Sequence, residues 1–359
     1  MKKRPVMDSG KGVSCQTTLL PGRTMNNLSP VIPNEQLPEI AVGILNFNRA
    51  AETLRTIEIL LESDYPTDRL RIIVIDNASS DGTPQRVRER FGERVHVMGL
   101  PENQGPVARN RVMLTSTSPF IFMFDDDSAP QHPGTLRGVV EFLTSNPEYG
   151  ALCFYCYNAV SGLLEFGDPS QVARYRLKNG GFQAPLVVGA GMCFRREAIQ
   201  QTTGYDERLF WGGEEHGLAL LLLHHGIATV LHPAFAVVHR SAPRAFTPQQ
   251  VYRVVARNDL WTSFRHLPLP VAVLMYELHV ARWVVMPLLK GRPKNVVEVF
   301  RGIGDGLKGI GPVLANRKVI PIRRLFQNWR WLLTAMNLRR VKQIAGRKPG
   351  SGGQGMEIG

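Results

Sequence analysis

Short apolar segments alternate with amphipathic segments along the first third of the chain. The apolar segments, each long enough for one strand, are Glu39–Leu45, Leu70–Ile75, Val95–Met98 and Phe120–Phe124. The segments between them carry apolar residues at helical spacing; they run from about Ala51 to Ser63, from Thr83 to Phe91 and from Val107 to Ser116. Strands that alternate with helices predict βαβ units and an α/β fold with a mainly parallel central sheet.

Polar clusters follow three of these predicted strands at the points where the strands end. The clusters are Asn46–Arg49, Asp76–Gly82 and Asp125–Asp127. In parallel α/β sheets, ligands bind beyond the carboxyl ends of the strands. We therefore expect the three clusters to meet at one edge of the sheet and to form a site.

Asp125, Asp126 and Asp127 directly follow the buried strand that begins at Phe120. Three adjacent carboxylates repel one another, and a divalent cation such as Mg²⁺ or Mn²⁺ would relieve that repulsion. Magnesium in such sites is usually shared with substrate phosphates, so the triplet favours a metal-bound phosphate substrate. A solvated acidic turn is the alternative, because Ser128–Pro130 is turn-like, and the triplet alone does not decide between them.

The remaining apolar segments predict a strand at Ala151–Tyr157 and a buried helix at Leu218–Leu223. The strand contains Cys153 and Cys156 in a lone CxxC among aromatic residues, without a second cysteine pair, so buried packing is favoured over zinc or redox chemistry. The four cysteines of the chain give no disulfide framework, which favours a reducing compartment.

The basic charge is concentrated near the carboxyl end. The net charge is +13, and the segment from Arg282 to Lys348 alone holds 16 Lys and Arg against two acidic residues.

The segment Pro270–Leu289 is an apolar run that Glu277, His279 and Arg282 interrupt. Placing these polar groups in a membrane costs less free energy if the helix lies in the membrane interface, with Trp283 at headgroup level, than if it spans the membrane. Arg323–Leu333 interleaves aromatics with arginines, which suits an anionic membrane. Nucleic acid is the less favoured alternative.

The composition of the chain and the distribution of its glycine and proline residues suggest four segments. They are a flexible leader (1–38) without a signal-peptide pattern, a catalytic domain (39–245), a helical basic extension (246–347) and a disordered tail (348–359). No GxGxxG follows the first strand and no GxxxxGK[ST] occurs, so neither a dinucleotide-binding fold nor a P-loop is supported.

The ordered set of motifs resembles family 2 glycosyltransferases with the GT-A fold, from about Ile40 to His239. The motifs are ILNFNR (44–49), IVIDNASSDGT (73–83), NQGPVARN (103–110), DDD (125–127), GYDERLF (204–210), GEE (213–215) and the segment from His232 to His239. Tyr252 and Arg257-Asn258 resemble an acceptor-side helix of rhamnosyl-transferring members, although ordinary packing explains them equally well.

The resemblance implies a role for each motif residue. Asp76 would bind the nucleotide base, Asp125 the ribose or the metal, and Asp127 the Mg²⁺ or Mn²⁺ ion, with His239 as a further metal ligand. The other implied donor- or acceptor-binding residues are Asn48, Asn77, Arg109, Asp126, Trp211 and Glu214. For Arg109, an exposed helix arginine is an equal alternative to a phosphate ligand.

Glu215 occupies the position of the family's general base, which is usually Asp. A carboxylate held near an acceptor hydroxyl can take its proton, and Glu214 beside it should raise one of the two pKa values. The alternative is an acidic helix N-terminus. Where the family commonly has a second Asp, this chain has Gly217.

The resemblance implies a metal-dependent, inverting glycosyltransferase, and the basic carboxyl-terminal segment predicts that it is bound peripherally on the cytoplasmic face of the membrane. Its partners would be a nucleoside-diphosphate sugar, a lipid-linked or cell-envelope glycan acceptor and an anionic membrane surface. The alternatives are a nucleotidyltransferase, whose glycine-rich basic first loop is not found at Asn46–Arg49, a non-catalytic binding protein, and a nucleic-acid-binding protein.

Overall fold

The computed structural model describes residues 29–166, 177, 179–183, 187–240 and 247–335. Within these residues the strands are β1 Ile40–Asn46, β2 Leu70–Asp76, β3 Val95–Gly99, β4 Phe120–Asp125, β5 Ser128–Pro130, β6 Tyr149–Asn158, β7 Leu164–Phe166, β8 Phe182–Gln183, β9 Gly191–Arg195 and β10 Ala228–His239. The helices are α1 Ala50–Leu61, α2 Thr83–Phe91, α3 Asn110–Met113, α4 Thr135–Ser145, α5 Arg196–Ile199, α6 Glu214–His225, α7 Pro248–His266, α8 Leu269–Leu289, α9 Lys294–Lys308, α10 Ile310–Ala315 and α11 Ile322–Ala335. The predicted leader and tail lie outside the described residues, except for residues 29–38.

The described strands form one mixed sheet in the order β3-β2-β1-β4-β9-β6-β10-β5, with β7 beside β6 and β8 beside β10. The pairs β3–β2, β2–β1 and β1–β4 are parallel, as the sequence predicts. Beyond β4 the directions mix, because β9 runs antiparallel to both β4 and β6, while β10 is parallel to β6. The parallel part of the sheet is therefore its first half, and the second half is mixed.

The predicted segments of the first half occur with small shifts at their ends. The helix predicted from Val107 begins instead as a 3₁₀ turn, Gly105–Arg109, which continues into the short helix Asn110–Met113. Gly105 has a φ of +63°, and a Cβ there would collide with the backbone of Phe210. This close approach requires glycine and joins the turn to the loop before α6.

The sheet is buried under helices on both faces. The rings of Phe122 and Phe124 on β4 and of Phe154 on β6 pack against one another, with ring centroids 5.8–6.5 Å apart. The predicted CxxC lies in β6, and both thiols are buried, as expected for a core strand. Burial of these rings and of the apolar residues around them supplies the main stabilisation of the domain.

The carboxyl-terminal helices pack on one another and on the domain. Gly302 and Gly306 lie where α9 crosses α7; a Cβ on Gly302 would collide with the carbonyl of Arg253, and one on Gly306 would lie 2.7 Å from Leu260. Thr247 and Gln250 form a capping box that starts α7. Small residues at the crossing let the two helices approach closely.

Candidate active site

The ends of β1 and β2 are tied together by a buried polar network. Asp76 is 3% exposed; its Oδ1 accepts a hydrogen bond from Asn46 Nδ2 at 2.7 Å and its Oδ2 accepts one from the Ser79 amide at 3.1 Å. Asn48, in the left-handed region at φ +54°, accepts from the Ser80 amide at 2.7 Å. Each Asp76 oxygen has capacity for a further hydrogen bond, so the carboxylate can also accept an N–H from a base.

Asn77 lies below this rim and holds the next loop. It is 2% exposed, and its side-chain amide donates to Asn103 Oδ1 at 2.8 Å and to the Gly105 carbonyl at 3.1 Å. Its side-chain oxygen, Oδ1, accepts a hydrogen bond from the Gln104 backbone amide at 2.8 Å. These contacts place the loop; direct contact of Asn77 with a substrate stays a prediction.

Two of the three carboxylates at the end of β4 are buried, so the triplet is not a solvated turn. Asp126 and Asp127 are 5% and 2% exposed, and one guanidinium nitrogen of Arg49 lies between them, 3.1 Å from Asp126 and 3.0 Å from Asp127. Burial raises the pKa of Asp126 to about 7, against the lowering effect of Arg49. The Arg49 guanidinium therefore already neutralises part of the negative charge of Asp126 and Asp127.

Asp125, Asp127 and His239 converge from β4 and the end of β10. Their ligand atoms all lie within 4.8 Å of one another, and His239 Nε2 is 3.3 Å from Asp127 Oδ1. Two carboxylates and an imidazole are a donor set that suits Mn²⁺ or Mg²⁺, so the residues fit a divalent ion. The hydrogen bonds of His239 to Asp127, Cys156 and Glu165 raise the pKa of this imidazole to about 11.

Glu165 contacts the other side of the His239 ring. Its Oε2 is 2.7 Å from His239 Nδ1. Because a proton on Nδ1 leaves the Nε2 lone pair facing Asp127, this carboxylate sets the tautomer that a metal ligand needs. No sequence motif singled out Glu165 or assigned a charge-pairing role to Arg49; for Arg49 the only signal is its position at the end of ILNFNR.

Arg109 is buried rather than exposed, which excludes the exposed-helix alternative. It is 3% exposed, forms an ion pair with Asp125 and lies 5.8 Å from the ring of Tyr205. Its Nε has no hydrogen-bond partner among the described residues. A buried guanidinium with an unused donor at this rim is suited to an anionic ligand.

Glu214 and Glu215 begin helix α6 beside Arg109. Glu214 is 8% exposed, and burial raises its pKa. Glu215 is half-buried and accepts a hydrogen bond from the Gly189 amide; burial, then the charges of Glu214 and Asp125, raise its pKa to about 8. A Cβ on Gly189 would collide with Glu215 and lie 3.6 Å from Arg109 Nη2, so both side chains border the same turn.

The turn before α6 is fixed by the carboxyl-terminal extension. Asn258, fully buried on α7, donates to the carbonyls of Trp211 and Gly212 at 2.9 and 2.5 Å. Gly212 and Gly213 have φ of +78° and +93° and let the chain turn into the helix. At Gly217, a Cβ would already lie 3.1 Å from Leu209, so the aspartate common in the family has little room here.

Comparisons with known proteins identify the family and the fold. Residues 41–203 match the model of Glycosyl transferase family 2. This part of the chain is a family 2 glycosyltransferase domain. The probable glycosyltransferase YdaM of Bacillus subtilis is 28% identical over 188 residues, covering 48% of this chain and 44% of YdaM. The putative teichuronic acid biosynthesis glycosyltransferase TuaG of the same organism is 29% identical over 135 residues, covering 37% of this chain and 50% of TuaG.

A solved structure shares the fold of the family 2 domain. It is the mannosyltransferase PcManGT from Pyrobaculum calidifontis in complex with GDP-Man and Mn²⁺, with a TM-score of 0.52 and 19% identity over 89% of this chain and 91% of that chain. The predicted GT-A fold is therefore confirmed. The matched regions span half or less of YdaM and TuaG, so their full activities do not transfer directly.

Proposed function

We propose that this chain is a metal-dependent, inverting glycosyltransferase that moves a sugar from a nucleoside diphosphate to a hydroxyl acceptor. The main support is that the ligand atoms of Asp125, Asp127 and His239 converge at the edge of the sheet, and that Arg109 and Glu215 lie beside them. The family 2 domain supports the reaction class, and PcManGT, a protein of the same fold, binds GDP-Man and Mn²⁺.

In this proposal Asp76 binds the nucleotide base, and Asp125, Asp127 and His239 hold Mg²⁺ or Mn²⁺. When bound, the ion neutralises the diphosphate and the charge that develops on it as it leaves. Arg109 adds a buried positive charge at the same rim. Asn48, Asp126, Trp211 and Glu214 line the surroundings of the donor and acceptor in this proposal.

Glu215 takes the proton of the acceptor. One of its oxygens accepts from the Gly189 amide. In this proposal the other oxygen accepts the proton of the acceptor hydroxyl. As the hydroxyl oxygen bonds to the anomeric carbon, its proton passes to Glu215 and the bond to the diphosphate breaks, which inverts the configuration. The pKa of about 8 gives this carboxylate the proton affinity that a general base needs near neutral pH.

The test is release of nucleoside diphosphate from a panel of sugar nucleotides, including a deoxythymidine-diphosphate rhamnose for the predicted rhamnosyl subgroup. It is run with Mn²⁺, Mg²⁺ or EDTA and with membrane extract as acceptor. We expect metal-dependent release that falls at least about 100-fold in Asp127→Ala and Glu215→Gln. Asp68→Ala and Glu207→Gln, at exposed positions, are the matched controls.

The two active-site variants separate transfer from binding. Glu215→Gln should still bind the donor with metal, since its side chain is placed on the acceptor side. Metal-dependent donor binding without release in the wild type would favour the non-catalytic alternative and contradict the proposal.

We also propose that the acceptor is lipid-linked or part of the cell envelope and that helices α8, α9 and α11 lie on the inner membrane surface. TuaG, a relative, is described as acting in teichuronic acid biosynthesis. By length and composition Leu269–Leu289 could cross a membrane; an 18-residue window within it has a mean hydropathy of 1.4, and 22% of that window is buried. Exposed apolar side chains on the three helices are Leu269, Val273, Leu274, Leu278, Val285, Leu288, Leu289, Val297, Phe300, Leu307, Ile322 and Phe326.

The polar residues of α8 favour a helix that lies on the surface. His279 Nδ1 and Trp283 Nε1 are 3.2 and 2.9 Å from Asp259 of α7, and Trp283 meets Tyr252 edge-on. Trp283 is half-buried and its N–H donates to Asp259, so the position of this ring at headgroup level stays a prediction. A helix with one face packed on α7 keeps only its opposite face for lipid.

Vesicle sedimentation tests this surface. Binding should be strong to vesicles with anionic phosphatidylglycerol, weak to pure phosphatidylcholine, and reduced at least about fivefold by the double substitution Leu274→Gln, Leu278→Gln. Val31→Gln, also at an exposed apolar residue, is the control. Equal binding of the double variant and the wild type to anionic vesicles would contradict the proposal that this face of α8 binds the membrane.

A further inference from the structure

A second cluster of metal-ligand side chains lies behind His239. It consists of Cys156, Glu165 and His239, whose ligand atoms all lie within 4.8 Å of one another. Cys156 Sγ is 3.6 Å from Glu165 Oε2, which in turn is 2.7 Å from His239 Nδ1. The catalytic role proposed above uses the other ring nitrogen, Nε2, so the two clusters meet at one imidazole.

The register of the sheet explains why these three side chains meet. On β6 and β10, Cys156 pairs with Val237 and Asn158 with His239, so Cys156 and His239 lie on one face of neighbouring strands. On β7, Phe166 pairs with Cys156 and Leu164 with Tyr157, which leaves Glu165 as the extra residue of a bulge. Bulges redirect a side chain, and this one directs Glu165 to the two other ligands.

The distances suit a tetrahedral zinc ion. With bonds of about 2.3 Å to sulfur and about 2.0 Å to oxygen or nitrogen, a tetrahedral site separates sulfur and oxygen by roughly 3.5 Å and nitrogen and oxygen by roughly 3.3 Å. The sulfur–oxygen distance of 3.6 Å matches, and the nitrogen–oxygen distance of 2.7 Å must open by about 0.6 Å to reach the tetrahedral separation. A thiolate among the ligands selects zinc over Mn²⁺ or Mg²⁺.

We propose that Cys156, Glu165 and His239 form an inhibitory site for a thiophilic divalent cation, Zn²⁺ above all, that excludes the catalytic metal. The exclusion, though not the binding, rests on the proposed function of His239. On binding, the thiol and the imidazole Nδ1 give up their protons to solvent. A neutral imidazole has one nitrogen lone pair; with zinc on Nδ1, Nε2 carries the proton and donates it to Asp127, 3.3 Å away.

Cobalt binding tests the site without donor, acceptor or turnover. Co²⁺ added to the reduced, full-length protein should produce the intense near-ultraviolet absorption of a thiolate–cobalt bond. The band should be lost in Cys156→Ala and kept in Cys153→Ala, which removes a buried thiol three positions along the same strand and hence on the opposite face. The band should persist in Asp127→Asn, which impairs the catalytic cluster alone. No band in the folded wild type, or a band that survives in Cys156→Ala, would overturn the proposal.

Competition tests the exclusion. In Mn²⁺ titrations followed by electron paramagnetic resonance of the free ion, saturating Zn²⁺ should raise the apparent dissociation constant for Mn²⁺ at least about tenfold in the wild type and in Cys153→Ala. In Cys156→Ala the change should be less than about twofold. An equal zinc effect in both cysteine variants would mean that zinc acts at the catalytic cluster, and would overturn the exclusion. Failure of sugar transfer would leave the cobalt result untouched, so the two proposals fail separately.

Discussion

The pH dependence of metal binding tests the role of His239 most directly. Without metal, hydrogen bonds to Asp127, Cys156 and Glu165 raise the pKa of His239 to about 11. A metal ion can bind Nε2 only after the imidazolium loses a proton. Because this pKa lies well above the working pH, the fraction of neutral imidazole rises tenfold for each pH unit. The apparent dissociation constant for Mn²⁺ should therefore fall about tenfold per unit, or about 100-fold between pH 6 and pH 8.

Two measurements check this slope. Titration of Mn²⁺ at pH 6, 7 and 8 gives the affinity, and calorimetry in two buffers with different heats of ionisation gives the number of protons released, which should be about one. Asp126, whose pKa is raised to about 7, ionises over the same pH range, and its negative charge adds a smaller increase in the affinity for Mn²⁺. His239→Asn removes the titrating ring, so this variant should bind Mn²⁺ more weakly and with most of the slope gone.

A flat affinity between pH 6 and pH 8 would refute the argument, since it would mean that the ion binds without displacing the proton of His239. A steep slope that persists in His239→Asn would assign the proton to another group. The buried Asp126 would then be the first candidate.

Three further predictions concern neighbouring parts of the site. Glu165→Ala should weaken Mn²⁺ binding by about 10- to 100-fold, whereas Glu165→Gln, whose amide oxygen can still accept the Nδ1 proton, should stay within about threefold. Asp76→Asn should weaken nucleoside diphosphate binding by about 10- to 100-fold in calorimetry, because the amide removes a charged acceptor; unchanged binding would contradict base recognition. Gly105→Ala should lower the free energy of unfolding by at least about 2 kcal/mol in denaturant titrations, because it collides with the Phe210 backbone at positive φ, whereas Gly99→Ala has open space and should not.

The local pattern was sufficient to predict the first half of the fold. Helix α2 begins and ends as predicted at Thr83 and Phe91, and the neighbouring strands differ from their predictions by one residue at an end. In this half, β1, β2 and β3 are neighbours in the order of the sequence, and β4 pairs with the other side of β1. The polar residues at the strand ends then follow from the topology.

The second half depends on pairings that no local pattern contains. Strand β9 lies between β4 and β6 although it follows both in sequence, and this reverses the strand direction at the centre of the sheet. Glu165 becomes part of the site through a bulge in a three-residue strand. Arg49 is placed between two buried carboxylates by contacts across 77 residues or more. Distant contacts of this kind are visible only in the folded chain.

The predicted boundary at residue 245 separates segments that cooperate in the structure. Asn258 holds the two carbonyls before Glu214, and Arg265 forms an ion pair with Asp206 at 3.0 Å, so α7 fixes both ends of the loop that leads into α6. A general base must be held within hydrogen-bond reach of its proton, and here the loop that positions Glu215 is tied to the extension. Helices α8 and α9, which we propose to bind the membrane, pack on the same α7. A membrane that bound them would therefore also orient the rim at which, in the proposed reaction, the acceptor hydroxyl meets the donor.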